Sequence, residues 1–448
     1  MKRPVLLEIR KVEPNPFELY EMSASQPRKG IAFAEQLLKD AGIAGVEVTP
    51  TSLPVPLLLA NQDTQDKLIQ FSGTTSNPEI PSDSFIIPCL LDTDVTPLPA
   101  PGGLFRVWPD SELTFWPARF DDLIPHSGGG STCSPFPAAV SLEEIRRLLG
   151  VEPVWWDGFK GQNIVVGVLD SGIDGNVYPV IGGTEGEEMP VPGKGDILGH
   201  GSMCAAGVLV AAPECKLHDY PFVGHPRSGG ALGMMQAVLD RRRRDGTPHI
   251  VSNSYGYRGI PPRDQAPDHE VHNIEHPVHR KVRELVSSGC MVFYAAGNCG
   301  DPCALGACHS SGIGPGKSIH GSNSLEQVIT VAAVDARRKR LGYSSQGPGL
   351  FHREKPDISA YTHYFGNFGE GRPGGASRQP YDDGTSSACP MAAGVAALLL
   401  SAFPSFNPSV IRRVMIETAI GLGHQGWDAD TGHGVINVAA AYTRLKAM

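Results

Sequence analysis

The chain has 448 residues, which is enough to bury a large core in two or three domains. Its 41% hydrophobic and 19% charged residues are typical of a folded soluble protein and exclude a disordered one. The net charge of −9 argues against a general nucleic-acid-binding protein, because such proteins need basic residues to neutralise phosphates. Most of this charge lies in residues 1–140, where 10 Lys and Arg stand against 17 Asp and Glu.

The first hundred residues alternate between strand and helix patterns. "PVLLEIRKV" predicts a strand, "GIAFAEQLLKDAG" a helix, and "VEVTP" and "LPVPLLLA" an extended stretch. A short helix at "DTQDKLIQF" and a strand at "SFIIPCLL" follow. The order β-α-β-β-α-β predicts a ferredoxin-like α+β domain over residues 1–120. The Pro- and Trp-rich stretch Pro97–Phe120 fits no element.

The next segment is predicted to be a linker. Residues 121–140 include "DDLIPHSGGGSTCSPFP", which is rich in Gly, Ser and Pro and has little hydrophobic periodicity. "SLEEIRRLLG" then predicts a helix, with Ser141 and Glu144 spaced as a capping box. We therefore expect a second domain over residues 141–448.

This second domain has an α/β pattern. "NIVVGVLDSG", "HIVSNSYG", "MVFYAAGN" and "QVITVAAV" are typical of buried parallel strands. Helical patterns at "HGSMCAAGVLVAA", "ALGMMQAVLDRRRR" and "HPVHRKVRELVSSG" lie between them. The alternation predicts a three-layer domain with a mostly parallel central sheet, whose ligands gather at the carboxyl ends of the strands.

The location of the protein is expected to be cytoplasmic. The first 22 residues lack the apolar stretch of a signal peptide, and no apolar run is long enough to cross a bilayer. Nine cysteines, an odd number scattered along a long chain, do not resemble a secreted disulfide framework.

Three polar residues lie at predicted strand ends and helix starts, where such a sheet carries its catalytic groups. Asp170 ends the "NIVVGVLD" strand, His200 begins a helix in "GHGSMCAAG", and Ser386 begins another in "GTSSACPMAAG". A hydroxyl becomes a good nucleophile when a neutral imidazole takes its proton. The imidazole in turn needs a carboxylate that fixes its tautomer. The three residues together suit nucleophilic catalysis, although each alone could be a turn or capping residue.

The order and flanks of these residues resemble the subtilisin-like serine proteases from about Leu149 to Tyr442. "NIVVGVLDSGID" is similar to the family's Asp motif, "HGSMCAAGVL" to its His motif, "SNSYG" to its substrate-binding strand, "AAGN" to its oxyanion-hole motif and "GTSSACPMAAGVAALLL" to its serine motif. The resemblance implies a subtilisin-like fold and a serine endopeptidase that needs no cofactor for catalysis. It leaves structural calcium open, with no clear set of ligands in the sequence.

The family pattern also implies a role for each site residue. Ser386, directly after Gly-Thr, would be the nucleophile, His200 the base and Asp170 its orienting group, while Asn298 would stabilise the oxyanion. The neighbouring Ser387 should point elsewhere. The edges of the cleft should bind an extended peptide through Ser254, Tyr255, Gly256, Ala296 and Gly297.

A cluster of cysteines follows Asn298 directly. Cys299, Cys303, Cys308 and His309 have a spacing that could supply zinc ligands, but it matches no well-defined zinc pattern. A disulfide within the loop is the second possibility. The pattern favours unpaired thiols over both.

The N-terminal domain fits an inhibitory propeptide that is removed by self-cleavage, as in secreted members of the family. A permanent accessory domain that recruits a substrate or partner is the alternative. The expected partners are peptide or protein substrates, without nucleic acid or membrane. Two other functions stay open, a peptide-binding pseudoprotease and a hydrolase of esters or small amides.

Overall fold

The structure is a computed structural model. It describes residues 2–10, 31, 32, 34, 35, 38, 43, 46–49, 55–58, 82–92, 105–115, 133, 137, 139–184, 191–196, 198–222, 224, 226–305, 307–366, 381–422 and 426–448.

The N-terminal residues form an antiparallel sheet of five strands. These are β1 Lys2–Arg10, β2 Val46–Val48, β3 Val55–Leu58, β4 Ser82–Asp92 and β5 Phe105–Pro109. The sheet order is β2-β4-β1-β5, and β3 also pairs with β4. The strands predicted at "PVLLEIRKV", "VEVTP", "LPVPLLLA" and "SFIIPCLL" are therefore confirmed.

Two predictions for this region need comment. The strand predicted to close the domain is the central β4, and β5 lies in the stretch that the sequence pattern could not place. Residues 31, 32, 34, 35 and 38 are helical, as "GIAFAEQLLKDAG" predicted. The predicted helix "DTQDKLIQF" lies outside the described residues, so the ferredoxin-like arrangement stays a prediction.

The two faces of the N-terminal sheet have different partners. Because side chains alternate along a strand, Val5 and Leu7 of β1 pack with Ala34 and Leu38 on one face. The opposite face carries Leu6, Val55, Leu57, Ile86 and Trp108, and these join a core shared with the second domain.

The second domain contains the predicted parallel sheet. Its seven strands have the order β10-β12-β8-β13-β15-β16-β17, and all neighbours are parallel. These strands are β8 Val165–Asp170, β10 Val180–Gly183, β12 Lys216–Pro221, β13 Ile250–Asn253, β15 Met291–Ala295, β16 Ile329–Val334 and β17 Ile358–Tyr361. The short strands outside these two sheets are β6 Thr114–Phe115, β7 Val140–Ser141, β9 Gly172–Asp174, β11 Lys194–Asp196, β14 Tyr255–Gly256 and β18 Tyr364–Phe365.

Helices cover both faces of this sheet. They are α1 Leu142–Leu149, α2 Glu152–Trp156, α3 His200–Ala211, α4 Ser228–Asp245, α5 Pro277–Ser287, α6 Gly384–Ala402, α7 Pro408–Glu417 and α8 Val438–Lys446. Phe293 of β15 faces the core that contains α3 and α6. Its neighbours Val292 and Tyr294 face the core that contains α4, α5 and the N-terminal sheet.

Helix α6 is the central helix, and it is apolar because it is buried from Gly384 to Leu400. Its length and composition would also suit a membrane span, but 89% of its most apolar window lies inside the protein. It crosses α3 closely at Gly394, where a side chain would collide with the carbonyl oxygen of Val208. This packing fixes the beginnings of both helices relative to each other.

The helix predicted at "SLEEIRRLLG" begins as expected. The Ser141 hydroxyl accepts a hydrogen bond from the Glu144 amide at 3.1 Å. The Glu144 carboxylate pairs with Arg147. Among the described contacts, the predicted capping box is therefore represented by the bond from the Glu144 amide to the Ser141 side chain, while the Glu144 side chain binds Arg147.

Buried charges join the N-terminal sheet to the second domain. Glu8 of β1 pairs with Arg280 of α5 at 2.7 Å and accepts a hydrogen bond from the Trp108 indole at 2.7 Å. Lys281, fully buried, donates to the Pro56 carbonyl oxygen of β3 at 2.6 Å. An unpaired buried charge is costly, so these contacts demand one docked geometry.

The residues after β5 continue the contact with the second domain. The Asp110 carboxylate accepts from the Gly229 amide at 2.8 Å, in the first turn of α4. The His276 imidazole donates through Nε2 to the Pro109 carbonyl oxygen at 3.1 Å. These contacts guide the chain from the N-terminal sheet towards the carboxyl ends of the parallel strands.

Candidate active site

The three residues singled out from the sequence meet at one edge of the parallel sheet. Asp170 is the last residue of β8, His200 the first of α3 and Ser386 the third of α6. All three are buried, with exposed fractions of 1%, 3% and 0%. The sheet edge and the α3–α6 packing therefore bring together residues that are distant in sequence.

Asp170 and His200 form a short hydrogen bond. His200 Nδ1 lies 2.7 Å from Asp170 Oδ1, and the same oxygen accepts from the Ser171 amide at 2.7 Å. Burial lowers the pKa of His200, but the charge and hydrogen bond of Asp170, together with the charges of Asp196 and Asp383, outweigh burial, so the pKa of His200 is raised. A carboxylate on Nδ1 leaves Nε2 as the nitrogen that can accept a proton.

Ser386 is buried beside this pair and contacts Ser254 and Cys204. Its carbonyl oxygen accepts from the Ser254 hydroxyl at 3.3 Å and lies 3.4 Å from Cys204 Sγ. Ser386 Oγ and His200 Nε2 are both buried and have no hydrogen-bond partner among the described residues. The bond between them is therefore not formed here, and such bonds often tighten when substrate binds.

Asn298 follows β15 and is held in one orientation. Its Oδ1 accepts from the Thr385 amide at 3.0 Å and from the Thr385 hydroxyl at 2.9 Å. Its Nδ2 is buried and has no partner within the described ranges. Because Oδ1 is committed to the residue before Ser386, Nδ2 is free to donate to a ligand.

The neighbouring Ser387 has a different environment. Its hydroxyl lies 2.8 Å from that of Thr362 and donates to the Gly384 carbonyl oxygen at 3.2 Å. The two adjacent serines therefore differ, since Ser386 Oγ has no partner in the described part of the chain.

Asp196 is a site residue that the sequence reasoning missed. Its carboxylate accepts from the Gly199 amide at 2.8 Å, the Ser202 amide at 2.6 Å and the Ser171 hydroxyl at 2.6 Å. Burial raises the pKa of Asp196, while its hydrogen bonds lower it. An acidic residue four positions before His200 was the signal, because carboxylates favour helix N-termini.

The predicted substrate strand is already paired. Strand β14, Tyr255–Gly256, pairs antiparallel with β6, Thr114–Phe115, from the N-terminal part of the chain. The Phe115 ring lies 4.9 Å from that of Phe222, 6.2 Å from that of Tyr255 and 6.1 Å from that of His200. A segment of this chain thus occupies the place predicted for a peptide substrate.

The other edge of this segment is also bonded. We call Ser111–Phe115 the cleft segment. The Leu113 amide donates to the Pro226 carbonyl oxygen at 2.8 Å, and the Ser228 amide donates to that of Ser111 at 2.9 Å. The Arg258 guanidinium donates to the Thr114 hydroxyl at 3.0 Å. The cleft segment is therefore bonded along both edges, to β14 on one side and to residues 226–228 on the other.

The backbone amides of Ala296 and Gly297 bond within the peptidase domain. The Ala296 amide donates to the Val331 carbonyl oxygen at 2.9 Å, and the Gly297 amide donates to the Thr385 hydroxyl at 3.2 Å. The described part of the cleft segment pairs with Tyr255 and Gly256 instead. A substrate-binding role for Ala296 and Gly297 stays a prediction.

The prediction of unpaired thiols after Asn298 is wrong. Cys299 is bonded to Cys308, and Cys303 to Cys133. Because Cys299, Cys303 and Cys308 are all in disulfides, they cannot supply thiolates to a zinc site shared with His309, whose Nδ1 lies 2.8 Å from the Ser311 hydroxyl. Cys133 lies 170 positions from Cys303, which hid this pair from any reasoning on local spacing.

These disulfides bear on the expected location. Disulfides are rare in the reducing cytosol and persist in oxidising compartments. The cytoplasmic location stays a prediction, and the two bonds weigh against it.

Among the described residues, Asp170, His200 and Cys204 have ligand atoms close enough to hold a metal ion. The 2.7 Å bond between Asp170 and His200 uses the nitrogen and oxygen that would face the ion. Burial and the charge of Asp170 raise the pKa of the Cys204 thiol, which disfavours the thiolate that metals bind. The donor set suits a hydrogen-bonded acid–base pair better than a metal centre. Structural calcium elsewhere stays a prediction.

Comparison with known proteins gives a consistent picture. The family described as "Subtilase family" matches residues 161–434. The chain is 29% identical to subtilisin DY of Bacillus licheniformis, over 66% of this chain and 96% of that protein. It is 28% identical to fervidolysin of Fervidobacterium pennivorans, over 65% of this chain and 42% of that protein.

Solved structures share the fold. The crystal structure of fervidolysin covers 87% of this chain and 60% of its own, with a TM-score of 0.53 and 20% identity. That of MycP1 from Mycobacterium smegmatis covers 72% of this chain and 87% of its own, with a TM-score of 0.51 and 18% identity.

Proposed function

The chain belongs to the subtilase family and is a serine endopeptidase, and we propose that Asp170, His200 and Ser386 carry its chemistry. The observation that supports this most directly is the pairing of His200 Nδ1 with Asp170, which leaves Nε2 and Ser386 Oγ buried without other partners. Peptide and protein substrates follow from the family.

The proposed reaction begins at Ser386. Its Oγ attacks the carbonyl carbon of the scissile peptide bond while His200 Nε2 takes the hydroxyl proton. Asp170 stabilises the imidazolium that forms, because its carboxylate already accepts from Nδ1. His200 then gives the proton to the leaving amine, and water releases the acyl group from Ser386 by the same steps.

The proposed oxyanion site consists of Asn298 Nδ2 and the backbone amide of Ser386. Asn298 Nδ2 is unpartnered in the described structure and held by Thr385, the residue next to Ser386. In subtilisin, a member of the same family, loss of such a donor costs roughly 10²- to 10³-fold in kcat. We expect the same range for Asn298→Ala.

We also propose that the N-terminal domain inhibits the peptidase. The cleft segment pairs with β14 in the manner of a peptide substrate, and Phe115 fills the space between Phe222 and His200. The buried Glu8–Arg280 pair holds the N-terminal sheet in place at a distance from the cleft. A purely accessory domain would have no need to enter the cleft. The predicted domain boundaries at residues 120 and 140 stay predictions.

The test is the intact mass and probe reactivity of purified full-length protein. Wild type is compared with Ser386→Ala and with the matched control Ser387→Ala, which changes the neighbouring hydroxyl. We expect a serine-hydrolase probe to label wild type and Ser387→Ala but not Ser386→Ala. Loss of an N-terminal fragment from wild type, with Ser386→Ala intact, would support self-cleavage. Labelling of Ser386→Ala would overturn the assignment of the nucleophile.

A further inference from the structure

The geometry points to the Cys299–Cys308 disulfide as a positioning element for Asn298. The bond closes the loop that begins directly after the proposed oxyanion donor, and reduction of the bond should lower kcat by releasing that donor. This inference rests on the proposed function of Asn298.

The side chain of Asn298 is fixed from one direction only. Thr385 holds Oδ1 through two hydrogen bonds, which sets the plane of the amide. These bonds leave the main chain of residue 298 to be held by other contacts. The position of Nδ2 therefore depends on Thr385 and on the contacts that hold the main chain of Asn298.

The second anchor is the loop Cys299–Cys308. The Leu305 amide donates to the Asn298 carbonyl oxygen at 3.0 Å, and the Cys308 amide donates to the Leu305 carbonyl oxygen at 2.9 Å. The disulfide joins Cys308 back to Cys299, the neighbour of Asn298. The contacts therefore form a closed ring that begins and ends beside the donor.

The apolar cluster inside this ring is small. Leu305 and Cys299 are buried in a small apolar cluster with Cys308, separate from the main cores of the protein. An apolar cluster of this size contributes little burial energy compared with a domain core. The start of the loop is also held by hydrogen bonds from the Cys299 amide to the Ser345 hydroxyl at 3.1 Å and from the Gly300 amide to the Tyr343 carbonyl oxygen at 2.7 Å. The Cys299–Cys308 disulfide ties the Leu305 side of the loop to this fixed start.

The same loop reaches the substrate strand. The His309 amide donates to the Arg258 carbonyl oxygen at 2.6 Å, and the Ile260 amide donates to the Ser311 hydroxyl at 3.0 Å. Residues 258–260 follow β14, which pairs with the cleft segment. The disulfide consequently fixes the oxyanion donor relative to the strand that holds the peptide.

Reduction supplies a balanced way to break this restraint. A dithiol transfers two electrons and two protons to the S–S bond, yields the thiols of Cys299 and Cys308 and becomes a disulfide itself. Displacement of a catalytic group by about 1 Å can cost up to 10²-fold, so a loss of roughly tenfold in kcat is expected. KM should stay within about twofold, because Asn298 acts on the transition state.

The experiment compares proteins expressed as full-length chains. Their cleavage of a peptide anilide is measured per active site, counted by a serine-hydrolase probe that labels Ser386, so that sites covered by the N-terminal domain do not lower kcat. Cys299→Ala/Cys308→Ala removes the proposed restraint, and Cys133→Ala/Cys303→Ala is the matched control that removes the other disulfide of the same loop. Each pair is also made with Asn298→Ala. We expect the first pair to lose kcat with KM kept, the control to keep kcat, and the first pair to cause no further loss once Asn298 is Ala. Thermal unfolding shows which variants are folded. If Cys299→Ala/Cys308→Ala is not folded, dithiol treatment of Cys133→Ala/Cys303→Ala, which keeps the Cys299–Cys308 bond, takes its place.

The outcomes separate the two proposals. If Asn298→Ala alone keeps full kcat, the proposed oxyanion role is wrong. If Asn298→Ala is impaired but the first pair is not, only the disulfide inference is wrong. An equal loss in both cysteine pairs, or an additive loss with Asn298→Ala, would also overturn it, because either result would indicate general loosening of the loop.

Discussion

The two sides of the cleft differ in how they are held. On the peptidase side, α3 and α6 pack through small apolar residues, and Asp170, His200 and Asn298 are fixed by short bonds within one core. On the N-terminal side, the contacts with the peptidase include the buried Glu8–Arg280 pair and backbone pairing of the cleft segment. Leu6, Val55 and Trp108 of the N-terminal sheet also join an apolar core shared with the peptidase, and this core opposes separation in water, whereas the buried charged groups of the interface regain hydration when they part. The buried charges at this interface support our proposal of a permanent catalytic body and a cover that can separate from it.

The largest expected effect is a loss of kcat in Asp170→Asn, which changes the peptidase side alone. Asp170→Asn keeps the shape of the side chain but removes its charge and favours the wrong tautomer of His200. We expect kcat to fall about 10⁴-fold. The measurement is steady-state cleavage of a peptide anilide, with Ser387→Ala as the control that should keep most activity. If docking of the N-terminal domain changed instead, the proposed division between the two sides would be wrong.

The next effect tests the N-terminal side. Glu8→Ala leaves Arg280 buried without its carboxylate, and such a loss costs about 3–5 kcal/mol. Docking of the N-terminal domain should weaken by roughly 10²- to 4 × 10³-fold, seen as faster probe labelling of Ser386. The double variant Glu8→Leu/Arg280→Met replaces the pair with apolar groups and should restore docking. Failure of that rescue, with the peptidase still folded, would contradict a separable cover.

A smaller effect is expected inside the cleft. Phe115→Ala removes a ring that is 6% exposed, which corresponds to about 2 kcal/mol of lost burial. Inhibition should weaken by roughly 30-fold, with kcat of the freed enzyme unchanged. The control Thr114→Val removes only the contact with Arg258, which is exposed, and should have a much smaller effect. Equal effects of the two variants would show that ring burial does not hold the segment.

The smallest effect concerns pH. Asp170 raises the pKa of His200 above its ordinary value of 6.5, against the effect of burial. His200 must be neutral to accept a proton, so kcat/KM should fall as the pH drops through this raised pKa, by about tenfold per unit. The midpoint should lie above pH 6.5 in wild type and lower in Asp170→Asn, which lacks the stabilising charge. A midpoint that does not move would argue against Asp170 as the partner of His200.

The sequence located the proposed catalytic residues better than the contacts of the N-terminal domain. Asp170, His200 and Ser386 could be located because strand ends and helix starts are readable from local patterns, and their flanks added a family resemblance. The parallel sheet followed from apolar runs with the right spacing. These features depend on residues close together in sequence.

Other features depend on partners far away. Strand β5, Phe105–Pro109, contains Trp and Pro and exists because β1 offers it an edge. Strand β6 has only two residues, and its pairing with β14 arises from docking of the N-terminal sheet. Cys303 looked like a thiol because its partner, Cys133, lies in a stretch that reads as a linker. Local periodicity carries no information about such contacts.

The Cys133–Cys303 bond also changes what a cut in the chain means. It makes the chain from residue 133 to residue 303 a covalent ring, and this ring contains Asp170, His200 and Tyr255. A cut before Cys133 frees everything on its N-terminal side. A cut after Cys133, inside the ring, opens a loop but leaves the two pieces joined through sulfur, with the N-terminal domain still attached beside Asn298. Residue 133 is thus the divide between a cut that separates the N-terminal domain and one that only nicks the molecule, and electrophoresis with and without reductant would tell the two apart.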